Sequence, residues 1–139
     1  MKMLVAILIV LCLLSCSKDS APTIESNNMI IGHWQWVESN GGIAGVHLTP
    51  ETTGYSQDLF YMADGVDAGI SRFYRNGILL SETAYELTAA SWDNQIWHDA
   101  IDYSGDQPTQ FYSFSAKYDT LYLSDFVTDG FNSVYIRVR

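Results

Sequence analysis

The sequence is poor in cationic side chains, in cysteine and in proline, and it has no apolar run long enough to span a bilayer. Seven Lys and Arg stand against sixteen Asp and Glu, a net charge of −9. Nucleic acid is thereby excluded as a partner, because binding a polyanion releases counterions through basic contacts that this chain barely possesses. Both cysteines, Cys12 and Cys16, fall within the first sixteen residues, so no disulfide framework or cysteine nucleophile is available beyond that segment. His33, His47 and His98 are isolated, with no close pair that would hold a metal, so no metal and no cofactor is expected. With 139 residues there is room for one domain, which can bury enough surface to fold without a staple.

What is present begins with an export pattern. Met1-Lys2 is a short positive start, and Met3 to Leu14 is an unbroken apolar stretch, shorter than the ~20 residues of a transmembrane helix. Such a segment reads as a signal peptide. It ends in Leu13-Leu14-Ser15-Cys16, which resembles the lipobox of bacterial lipoproteins, where the cysteine is acylated and becomes the new N-terminus. Residues 1–16 are therefore expected to be the signal, with Cys16 the lipidation site and the membrane a partner through its acyl chains, palmitate among them. Cleavage there would remove Lys2 and take the net charge of the remainder from −9 to −10. Residues 17–28 are polar and aperiodic and read as a flexible tether. Ser17 after the cysteine resembles the outer-membrane sorting signal of proteobacteria. Ser17-Lys18-Asp19 is similar in part to the surface-export signal of Bacteroidetes lipoproteins, which leaves open the periplasmic or the exposed side. Asp19-Ser20-Ala21 and Asp119-Thr120-Leu121 resemble that phylum's O-glycosylation triplets.

Residues 29–139 carry all nineteen aromatic residues and break into short runs separated by Asp-Gly, Asn-Gly and other glycine-containing turns. Eight strand-like runs are read at 30–38, 56–63, 67–74, 79–88, 95–103, 109–115, 119–124 and 131–138. Asp64-Gly65 and Asn76-Gly77 tolerate the positive φ of tight hairpins. Sequential hairpins predict an all-β fold, an eight-stranded antiparallel up-and-down barrel. One connection, 41–54, is long and holds Ile43, Val46 and Leu48. It is expected to fold back over one end of the barrel, as a plug or a lid.

Gly32-His33-Trp34 resembles the Gly-x-Trp of lipocalins and other calycins. Together with Trp36, Thr49-Pro50-Glu51, Gly54-Tyr55, Asp129-Gly130, Tyr135 and Arg137, it is similar to lipocalin-like lipoproteins of Bacteroidetes over nearly the whole chain after the signal. The resemblance implies a structural barrel base of Gly32, Trp34 and Arg137, with the guanidinium over the indole and Arg139 as the alternative partner. It also implies inward positions for Trp36, Leu59, Tyr61, Leu79, Thr83, Tyr85 and Leu87, of which Trp36, Leu59, Tyr61, Tyr85 and Leu87 are the candidate ligand-binding lining. Phe60 and Met62 then point outward.

Catalytic groupings are weak. His98 lies near Asp99 and Asp102, and Ser91 or Ser104 would have to serve as nucleophile with no nucleophile elbow. Asp64, Asp93, Asp106, Asp119, Asp125 and Asp129 fall at turns, where carboxylates are ordinarily solvated. The expected function is a non-enzymatic, monomeric, lipid-anchored protein of the outer membrane that binds a small apolar or amphipathic molecule in the barrel. The competing expectation is a side-chain-filled barrel acting as an interaction or inhibitor module for another envelope protein.

Overall fold

The computed structural model describes residues 29–139; the expected signal segment, Cys16, Ser20 and the tether lie outside them. The elements follow as β1 (Gly32–Gly41), β2 (Val46–Leu48), α1 (Pro50–Thr53), β3 (Gln57–Ala63), β4 (Ala68–Arg75), β5 (Ile78–Ala90), β6 (His98–Tyr103), β7 (Gln110–Phe114), β8 (Thr120–Asp125) and β9 (Phe131–Val138). β1 and β3 to β9 form an antiparallel meander, and β9 pairs back onto β1 from His33↔Val138 to Gly41↔Phe131. The fold is all-β, a closed eight-stranded antiparallel barrel whose closure leaves no free sheet edge around the ring.

Alternation of apolar and polar residues sets which side of the wall each strand buries. At the β4–β5 turn, Asn76 and Gly77 both take positive φ, at 49° and 75°, the geometry a two-residue hairpin demands. The β3–β4 link is longer: Asp64 N–H donates to Ala68 O, and Gly65 and Asp67, not Asp64, occupy the positive-φ positions. On β4, Gly69 is required by close approach, since a side chain there would collide with the Met62 carbonyl and the Tyr85 ring.

Two bulges redirect the pattern. On β1, Val37 is an extra residue, so the buried set passes from Trp34 and Trp36 to Ser39. On β5, Ser81 pairs with Phe73 and Leu79 with Tyr74, which leaves Leu80 as the inserted residue. An inserted residue reverses the parity of everything beyond it. Leu79, expected inward, is instead 46% exposed, while Tyr85 and Leu87 on the other side of the bulge are buried.

The connection 42–56 also departs from expectation. It carries structure of its own: β2 pairs with the last residues of β1, and α1 follows as a single capped turn. Thr49 and Thr52 satisfy each other's backbone N–H groups in a capping box, and Gly54 ends the turn in the left-handed region. Ile43 is 92% exposed and Val46 is exposed, so only Leu48 of the three apolar residues packs against the core. Tyr55 stacks on Trp36 at 5.8 Å, and the Arg75 guanidinium lies 4.3 Å over the Tyr55 ring.

Candidate functional site

Strand directions define two ends. β1 starts at the end where Met29 enters, here the base, and finishes at the other, the mouth. The base is filled. Trp34 is fully buried, its indole N–H donates to Ile30 O at 2.7 Å, and Phe114 packs on it with centroids 5.8 Å apart. Across the indole lies Arg137, with its guanidinium carbon 4.1 Å from the ring. Arg137 Nη1 donates to Ile31 O, Nη2 to Met29 O and Nε to Tyr118 O. Gly32 is the residue that makes room, because a Cβ there would stand 2.8 Å from Arg137 Nη1. The spacing of glycine and tryptophan in Gly-x-Trp thus has a local cause: one position clears the guanidinium and the next inward position receives it.

Above the base the interior is a layer of aromatic rings. Tyr61 and Tyr85 meet edge to face at 5.1 Å, and Leu87, Ile101 and Leu121 are buried beside them. Tyr61 OH lies 2.6 Å from Tyr103 OH, Tyr103 OH donates to Gln110 Oε1 at 3.0 Å, and Gln110 Nε2 donates to Asp125 Oδ1 at 2.7 Å. Phe131 N–H donates to Asp125 Oδ2 at 3.1 Å. Because Tyr103 gives its proton to Gln110, Tyr61 must donate to Tyr103, and the chain runs in one direction toward the carboxylate. Burial is the main cause pushing the phenols of Tyr61, Tyr103 and Tyr135 above the ordinary tyrosine range, and the charge of Asp125 pushes Tyr103 and Tyr135 in the same direction.

The mouth half is hollow. A partly open cavity of about 380 Å³ is walled by the aromatics Trp36, Phe73, Tyr103, Phe131 and Tyr135, by Leu48, Leu59 and Leu123, and by a polar set of four serines, three glutamines and Asp125. Its volume is within the range of small-molecule sites and amounts to about a dozen water-sized groups. Trp36 Nε1 donates to Ser39 Oγ at 2.8 Å, and Ser39 Oγ is 2.7 Å from Ser133 Oγ. Of the candidate lining residues, Trp36 and Leu59 face this cavity, whereas Tyr61, Tyr85 and Leu87 are placed in the packed layer beneath it.

The polar wall was not among the candidate residues. Asp125, read as a solvated turn carboxylate, instead lines the cavity with both oxygens engaged, because it continues the inward alternation of Leu121 and Leu123. Gln110 precedes Tyr112 and Ser133 precedes Tyr135 by the same step of two. That periodicity, extended to the polar ends of the strands, is the signal that finds them.

The catalytic grouping is dispersed. His98 and Ser104 lie at opposite ends of β6, His98 packing on Phe111 on the outer surface. Ser91 donates to Asp93, and Asp102 accepts from Thr109. His33 pairs with Asp58 at 2.7 Å and stacks on Phe60 at 4.1 Å, also outside the barrel, and His47 pairs with Glu38 at 3.1 Å. Among the described residues no cluster of three metal-ligating side chains occurs. Thr120 Oγ1 donates to Asp119.

Fold and interior together define a small antiparallel barrel with a filled base and a hollow, mixed-polarity mouth. No family model, curated protein or solved structure matches the chain.

Proposed function

We propose that this protein is a lipid-anchored, lipocalin-like binding protein of the bacterial cell envelope, which holds one small amphipathic molecule in the mouth half of its barrel and performs no chemistry on it. The observation that carries this reading is the division of the interior: side chains fill it from Ile30 up to the Tyr61–Tyr85 layer and then leave about 380 Å³ walled by both rings and hydrogen-bonding groups. A chain with a purely structural barrel has no need to leave that space, since each unfilled volume forfeits packing. The anchor reading rests on the apolar segment and Leu13-Leu14-Ser15-Cys16.

A second reading draws on the outer wall. A groove of about 530 Å³ runs over β7, β8 and β9, lined by Trp97, Phe111, Tyr122 and Val134, and Trp92 and Ile96 are exposed beside it. Such a surface suits contact with another envelope protein. Native mass spectrometry of the full-length protein purified from its own envelope separates the two. One small-molecule adduct per chain supports the binding protein; repeated recovery of empty protein contradicts it.

A further inference from the structure

We infer that the mouth cavity selects its ligand by charge, and that it takes small organic cations of the alkylammonium class with Asp125 as the recognising group. The inference rests on the reading of the barrel as a binding protein and gives that site its chemistry.

Asp125 is the one carboxylate of the lining, and no Lys, Arg or His among the described residues joins it there. Its two oxygens each accept one hydrogen bond, from Gln110 and from the Phe131 N–H, at 2.7 and 3.1 Å. A carboxylate has about four acceptor positions, so these bonds fix its orientation and leave capacity for a ligand that donates. The donors nearest it in the hydrogen-bond chain are already committed: Tyr61 to Tyr103, Tyr103 to Gln110, and Gln110 to Asp125. An anionic ligand would therefore meet the negative charge of Asp125 with no cationic side chain in the lining to offset it. Arg75 stands outside the lining, over Tyr55 at 4.3 Å and 6.0 Å from the Phe73 ring centroid, and makes no ion pair with Asp125.

The rest of the wall favours the same sign. Trp36, Phe73, Tyr103, Phe131 and Tyr135 surround the space with aromatic rings, whose faces attract a cation. A protonated amine thus gains a charge-assisted hydrogen bond to Asp125 and ring contacts for its head, while its alkyl body meets Leu59 and Leu123. Serine hydroxyls accept or donate and do not oppose it. The acidic balance of the whole chain, −9, adds a field that draws cations toward the protein.

Three probes of matched length test this by isothermal titration calorimetry on the full chain: hexylamine, 1-hexanol and hexanoate. Hexylamine is expected to bind at least about tenfold more tightly than hexanol, and hexanoate more weakly than either. Asp125→Asn is expected to bring hexylamine down to the hexanol affinity and to leave hexanol unchanged. Should that variant fail to fold, Gln107→Lys, on the exposed rim, is expected to weaken hexylamine by about tenfold through like-charge repulsion. Equal affinities for hexylamine and hexanol, or tighter binding of hexanoate, would overturn the charge selection while leaving the ligand-binding reading intact. Heat from none of the three would overturn both.

Discussion

Arg137→Ala removes the cover of the barrel base. The guanidinium makes three hydrogen bonds to the carbonyls of Met29, Ile31 and Tyr118, at 2.5, 2.9 and 3.1 Å, and lies 4.1 Å from the Trp34 ring. A hydrogen bond from a charged group contributes ~1.5–3 kcal/mol when buried, but water replaces part of it at this half-exposed end, so about 1 kcal/mol each is appropriate. The ring contact adds about 0.5–1 kcal/mol. The sum is about 3–4 kcal/mol, a large share of the roughly 5–15 kcal/mol that holds a domain of this size. In urea unfolding followed by tryptophan fluorescence, that corresponds to a midpoint lowered by about 2 M. Arg137→Lys keeps a cation over the indole but reaches at most one carbonyl at a time, so about half of the loss is expected to return. Arg139→Ala, at the exposed chain end, is expected to leave the midpoint in place. The reasoning is refuted if Arg137→Ala shifts the midpoint no further than Arg139→Ala, or if lysine replaces arginine without loss.

The remaining predictions concern packing, protonation and the anchor. Gly69→Ala forces a methyl group into the Met62 carbonyl and the Tyr85 ring, and a loss of about 2 kcal/mol or more in unfolding free energy is expected; wild-type stability would mean that β3 and β5 can yield there. Tyr61 and Tyr135 are buried with phenol pKa values above the ordinary value of 10.0. Their unfolded forms lose the proton first as pH rises, so stability is expected to be flat below about pH 10 and to fall above it by roughly 1.4 kcal/mol per pH unit for each; a melting temperature that stays level up to pH 11 would count against it. Cys16→Ser is expected to abolish palmitate labelling in cells and release the protein from membranes, whereas undiminished labelling would displace the lipidation site.

The strands were legible because each is short, alternating and bounded by residues that accept turn geometry. Asn76-Gly77 and the apolar steps Leu121 to Leu123 and Trp34 to Trp36 suffice to position their strands in the meander. The bulges were not, since the insertion of Val37 or Leu80 is decided by closing a ring of eight strands and not by local preference. Their consequence is parity: Leu79 leaves the interior, and Ser39 enters it. β2 and α1 were hidden in a connection read only as a plug or a lid, although Thr49-Pro50 marks a helix start. The candidate site was half legible. Trp36 and Leu59 were readable as lining because the resemblance to lipocalins implied the inward parity that period-two alternation alone leaves open. Asp125, Gln110, Ser71 and Ser133 look solvent-bound until the barrel is closed and their strands are seen to end around one cavity.

The central claim is that the barrel is packed at its base and hollow at its mouth, and paired enlargements in urea unfolding test it most directly. Ser81→Leu adds volume inside the cavity at a residue of its lining, and Leu121→Phe adds volume at a fully buried position of the packed half beneath it. Overfilling a packed core costs about 1–3 kcal/mol, whereas filling vacant space costs nothing or stabilises. The account predicts a midpoint for Ser81→Leu at or above that of the wild type and a clear fall for Leu121→Phe. Equal destabilisation by both would show that the mouth is as full as the base, and would contradict it.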